Sequence, residues 1–167
     1  MKKVKRLAAV LLLAAALSMS VSAEAAHWYD PYVAWAETNN IAQKGLDPCE
    51  KLARGDALRM LKAAETGAFC YTTAEARAWA MDRGISDGER MHDTLTRAEA
   101  ATLLGRFCGE KDVCKLPFGD ADRIPPWAYQ FVCAAYLRGT VNGKEDGNFH
   151  PEEWLTVAQW ETMLYRM

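Results

Sequence analysis

The sequence predicts an all-α protein built from three helix–loop–helix repeats. Three observations carry that prediction. Apolar residues recur on one helical face in three segments: Ala57, Met60, Leu61 and Ala64; Ala100, Leu103, Leu104 and Phe107; Trp160, Met163, Leu164 and Met167. The spacing i, i+3, i+4, i+7 is that of an amphipathic helix. Two of these segments open on a helix-start signature, Thr96-Arg97-Ala98-Glu99 and Thr156-Val157-Ala158-Gln159. There a threonine hydroxyl accepts from the amide three residues on, and the acid or amide side chain reaches back to the cap. Strand-like alternation is almost absent across the 167 residues. A helix with one apolar stripe cannot bury itself, so the three stripes are expected to pack together.

Residues 1–25 read as a secretory signal peptide. Lys2, Lys3, Lys5 and Arg6 precede an eleven-residue apolar run from Leu7 to Leu17. Small-residue cleavage triplets follow at Val21-Ser22-Ala23 and Ala23-Glu24-Ala25. The run is shorter than the ~20 residues a resident transmembrane helix needs. Removing the peptide takes four basic residues from 20 and one acid from 22, which leaves 16 against 21, a balance of −5. A secreted, mildly acidic chain is expected, without the basic surface of a general nucleic-acid binder.

The first repeat, 26–66, runs from His27-Trp28 through Val33-Ala34-Trp35-Ala36 to Ile41 and then to a second helix. The second, 72–109, passes through Ala78-Trp79-Ala80 and Gly84-Ile85. The third, 117–167, starts its first helix at Pro126-Trp127-Ala128 and reaches Gly139-Thr140. Trp28 to Ile41 and Trp127 to Thr140 both span 13 positions, and Trp35 to Trp79 and Ile41 to Ile85 share an offset of 44. The Gly/Pro-rich stretches Leu116 to Pro126 and Asn142 to Pro151 are loops. Ala53, at the start of the first repeat's second helix, lacks the capping hydroxyl, at a cost of ~1 kcal/mol. Arg54 and Arg97 each occupy a first helical position, where the macrodipole disfavours a cation. Two arginines in that place call for an anionic partner.

Cys49, Cys70, Cys108, Cys114 and Cys133 form no CxxC pair, so zinc-ribbon and thioredoxin-type chemistry lack their first requirement. An odd number leaves at least one thiol free or paired with another chain. Cys108 and Cys114 flank a short turn and can meet within the ~4.4–6.8 Å Cα range of a disulfide, so that pairing is expected. Cys133, in an apolar helical stretch, fits a small buried hydrophobe. The 142–153 segment has the spacing of a calcium loop, but Asn142 and Lys144 leave it few anionic oxygens. No metal, cofactor, HExxH, GxSxG, phosphate loop or marked carboxylate pair is indicated, and no enzyme activity is expected.

The chain resembles the S-layer homology family. The resemblance rests on Phe118-Gly119-Asp120, Trp127-Ala128, Asn142-Gly143, Asp146-Gly147-Asn148-Phe149-His150-Pro151 and Leu95-Thr96-Arg97-Ala98-Glu99. It implies a pseudo-threefold arrangement of three helical repeats, with Leu61, Leu104 and Leu164 buried near one axis. It further implies a secreted protein at the cell wall or cell surface, anchored noncovalently to a wall polysaccharide that often carries pyruvate ketals. Arg54 and Arg97 match the motif arginines, Trp28 and Trp127 the motif tryptophan, and Asp120 the leading aspartate. An arginine fork suits a ketal carboxylate, and a tryptophan face suits sugar C–H surface. Core packing for the tryptophans and a loop-capping role for Asp120 stand as alternatives. The third repeat has Val157 in place of the arginine, and the first two lose most of the loop. A module that keeps the fold without the glycan, and serves as an envelope protein–protein interaction or assembly protein, is the alternative function.

Overall fold

The computed structural model describes residues 26–69 and 71–167. Its helices are α1 (Asp30–Thr38), α2 (Arg54–Thr66), α3 (Thr73–Asp82), α4 (Arg97–Cys108), α5 (Pro126–Leu137) and α6 (Val157–Arg166), with one 3-10 turn at Ala121–Arg123. Among the described residues, strand character is limited to the isolated bridges Lys51↔Thr156, Ala53↔Thr94 and Thr96↔Trp154. The protein is all-α, as expected. The signal peptide expected over residues 1–25, and Cys70, lie outside the described residues.

Local chemistry sets the helix boundaries. Thr96 and Thr156 form the capping boxes with Glu99 and Gln159. A further box, Thr72 with Glu75, opens α3. Helices α2 and α4 end on the left-handed glycines Gly67 and Gly109, at φ of 72° and 69°. Arg54, Arg97 and Val157 are the first helical residues of α2, α4 and α6.

The segments entering α2, α4 and α6 bond to one another in a closed ring. Leu52 N–H donates to Leu155 C=O at 2.9 Å, Leu155 N–H to Leu95 C=O at 2.8 Å, and Leu95 N–H to Leu52 C=O at 2.9 Å. The first amide of each helix continues the cycle: Arg54 to Asp93, Arg97 to Glu153 and Val157 to Glu50. These bonds satisfy amides that a helix start leaves unpaired.

Helix pairing follows the same cycle. Each of these helices packs on the helix that begins the next unit: α2 on α3, α4 on α5, and α6 back on α1. Gly105 shows why α4 and α5 approach closely. A Cβ there would lie 2.5 Å from Phe131 Cδ1 and 3.1 Å from Glu110 O. Leu61, Leu104 and Leu164 are all buried and belong to one contiguous apolar core.

One position departs from that core. The fifth residue after the cap is Leu58 in α2 and Ala101 in α4, both fully buried, but Glu161 in α6. Glu161 is 1% exposed, and its Oε2 has no hydrogen-bond partner among the described residues.

The expected Cys108–Cys114 disulfide is not formed, and both are free thiols. After Gly109 the chain bonds back through Glu110 N–H to Gly105 C=O, then crosses to α5 through Asp112 N–H to Gln130 C=O. That path carries Cys114 away from α4 and onto Cys133.

Candidate ligand-binding grooves

Grooves lie beside the starts of α4, α2 and α6, and they are built from corresponding positions. The first is lined by Arg97 from α4, Trp28 from the entry to α1, Asn142 and Lys144 from the loop after α5, and Gln159, Thr162, Met163 and Arg166 from α6. The second is lined by Arg54, Trp127, Asp87, Glu99, Thr102, Leu103 and Arg106. Gln159, Thr162, Met163 and Arg166 follow Glu99, Thr102, Leu103 and Arg106 at a constant offset of 60. Trp127 follows Trp28 by 99. The third groove has Val157 where the others have arginine, together with Gln43, Asp56, Arg59, Met60 and Phe69.

Charge separates the first two. Arg54 is buried and its guanidinium is taken up internally: Ser86 Oγ at 3.2 Å, Asp87 at 3.5 Å and Glu99 at 3.6 Å. Arg90 also pairs with Glu99, at 2.5 Å. Burial pushes the Glu99 carboxyl up, but the Thr96 amide and the Arg90 and Arg54 guanidiniums outweigh it and hold it below its ordinary value. The Glu89 amide does most to lower Asp87, with Arg54 and Arg90 adding to it. The anionic partner that Arg54 requires is therefore this protein's own.

Among the described residues, Arg97 has no such partner. Its Nε donates to Phe149 C=O at 2.7 Å and an Nη to Asn142 C=O at 3.0 Å. The guanidinium also lies over the Phe149 ring, 5.0 Å from its centroid. Burial pushes its pKa down, against the pull of Glu153 and Asp120. Gln159 and Asn142 stand where the second groove has Glu99 and Asp87, so among the described residues no carboxylate lines the first groove. Lys144 pairs with Glu153 outside the lining, and Arg166 lies over Tyr32. The free volumes, about 170 and 150 Å³, are below the roughly 300–1,000 Å³ of pockets that engulf a small molecule. They suit one protruding substituent of a larger polymer.

The five expected glycan-binding residues thus divide three ways. Arg97 and Trp28 share the first groove, and Arg54 and Trp127 share the second. Trp28 and Trp127 are 60% and 52% exposed, so neither serves as core packing. Asp120 lines neither of these two grooves. It is buried, and its two oxygens accept from the amides of Phe149 at 2.7 Å and His150 at 2.8 Å. It fixes the loop whose Phe149 carbonyl holds Arg97. Arg166 has no motif of its own. The 60-residue offset from Arg106 is the sequence signal that marks it.

Residues 117–156 match the family model of the S-layer homology domain. Over 75 residues the chain is 39% identical to an endoglucanase of Bacillus sp. strain KSM-635, covering 44% of this chain and 8% of that protein. The chain thus spans less than a tenth of that relative's length. The matched segment takes in Asp120, the loop it caps and the threonine that caps α6, so the likeness to the S-layer homology domain falls on the third repeat.

Proposed function

We propose that this protein is a noncatalytic, secreted module that anchors to the cell wall by gripping a carboxylated polysaccharide in the Arg97 groove. The observation that carries this is the contrast between two matching grooves. One neutralises its arginine with Glu99 and Asp87. The other replaces both acids with amides and presents Arg97, Lys144 and Arg166 beside an exposed tryptophan. A pyruvate ketal offers both parts of a matching ligand, a carboxylate for the guanidinium and an apolar sugar face for the indole. The S-layer homology domain supports a place at the cell surface. No helix among the described residues is long and apolar enough to cross a membrane.

Retention on purified wall sacculi tests this, with and without the secondary polymer stripped. Arg97→Ala is expected to lose retention while its circular dichroism stays native. Arg97→Lys is expected to lose much of it, because a point charge does not reproduce the planar fork. Retention is expected to fall with salt. Arg54→Ala is expected to bind the wall normally but to lose roughly 2 kcal/mol of stability, because Glu99 and Asp87 lose a buried partner. Equal retention by wild type and folded Arg97→Ala would reject the glycan site and favour an envelope protein–protein interaction role.

A further inference from the structure

The segment between α4 and α5 brings two cysteines together. Tyr129 Oη donates to Cys114 C=O at 3.2 Å, which pins the segment to α5. Cys114 N–H then donates to Cys133 Sγ at 3.3 Å, and the Cys133 thiol donates to Cys114 C=O at 3.5 Å. Cys133 Sγ thus sits against both polar groups of the Cys114 backbone. Cys133 is fully buried, while Cys114 is partly exposed and is the one a reagent can reach. The other described cysteines are engaged elsewhere: Cys49 is exposed, 3.8 Å from Tyr29 Oη, and Cys108 ends α4 near Glu110 and Arg138.

We propose that Cys114 and Cys133 are an oxidisable pair that forms an intramolecular disulfide by exchange with a low-molecular-weight or protein disulfide, stapling the α4–α5 connection to α5. In the first step the Cys114 thiolate attacks one sulfur of the donor and expels one donor thiolate. A mixed disulfide remains on Cys114. In the second step the Cys133 sulfur attacks the Cys114 sulfur and expels the other donor thiolate. Two protein thiols are oxidised, one donor disulfide is reduced to two thiols, and the two thiol protons end on them. Burial, with the contact to Cys133, pushes the Cys114 thiol up to about 11. Thiolate is therefore scarce at neutral pH, and exchange is slow there and quickens about tenfold per pH unit from 7 to 9.

Oxidised glutathione is the probe, with the folded protein incubated at several pH values and mapped by nonreducing peptide mass spectrometry. The expected product has the Cys114 and Cys133 peptides joined with loss of two hydrogens. A loop of this length is expected to raise Tm by about 6–12 °C over the reduced protein. Cys108→Ser and Cys49→Ser are expected to form the same link. Cys133→Ser is expected to stop at glutathione on Cys114, which shows Cys133 to be the resolving thiol even if that variant is less stable. The proposal is overturned if Cys114 is found joined to Cys49, Cys70 or Cys108. Recovery of Cys114 and Cys133 unlinked after oxidation at alkaline pH overturns it equally.

Discussion

Replacing Glu161 with leucine, the residue at the matching position of α2, is expected to stabilise the protein and to remove one component of its pH dependence. Burial, with repulsion from Glu37 on α1, pushes the Glu161 carboxyl up from 4.5 to about 7. The folded state thus holds a proton that the unfolded chain releases near 4.5. The stability associated with that proton is fully present below pH 4.5, falls as pH rises from there towards 7, and is gone above. A difference of this size corresponds to about 3 kcal/mol at 1.36 kcal/mol per pH unit. Glu161→Leu is therefore expected to be more stable than wild type by about 3 kcal/mol at pH 8, with the gap narrowing towards pH 4.5. Urea unfolding followed by tryptophan fluorescence at intervals between pH 4.5 and 8 measures this. Glu75, Asp87, Glu99 and Asp146 are held below their ordinary values, and they lose stability as pH falls. They contribute equally to both proteins and cancel in the difference. Parallel pH curves for the two proteins would show that Glu161 does not carry this proton and would refute the reasoning.

Leu104→Ala is expected to cost roughly 2–5 kcal/mol in chemical denaturation, because Leu104 is buried in the common core. Gly105→Ala is expected to destabilise by about 1–3 kcal/mol despite alanine's higher helix propensity, since its Cβ meets Phe131 and a carbonyl of the returning chain. A small gain in Tm instead would mean that α5 yields easily. Thr72→Ala is expected to cost about 1 kcal/mol through loss of the α3 capping box, read as earlier fraying of α3 in amide exchange.

Much of the helical frame was legible because its signals are local. The stripes on α2, α4 and α6 and the boxes at Thr96 and Thr156 need only a few neighbouring residues. The Thr72-Thr73-Ala74-Glu75 box is equally local. The pairing of α2 with α3, and of α6 with α1, has no local signal, since the same stripe fits any partner. Glu161 gives no local signal, because a lone acid in an amphipathic helix is normally solvated. Only alignment with Leu58 and Ala101 marks it as a core position. At the sites, the cation at the helix start was visible, but its fate was not. Arg54 meets Glu99 from another helix, whereas Arg97 meets two carbonyls. The cysteines show the same limit, because sequence distance favoured Cys108–Cys114 while the path of the backbone chose Cys133.

The closing of α6 onto α1 ties recognition to the completion of folding. Trp28 precedes the first described helix and Arg166 ends the last, yet both line the Arg97 groove. A chain still being synthesised, or one in which α1 has come away, has no such groove to offer. On the proposed function, docking on the wall and shutting the ring are linked equilibria, and any ligand that fills the groove holds the two ends of the fold together. At a ligand concentration a hundred times Kd that linkage is worth about 2.7 kcal/mol, so a molecule with its groove filled is harder to unfold than one with the groove empty.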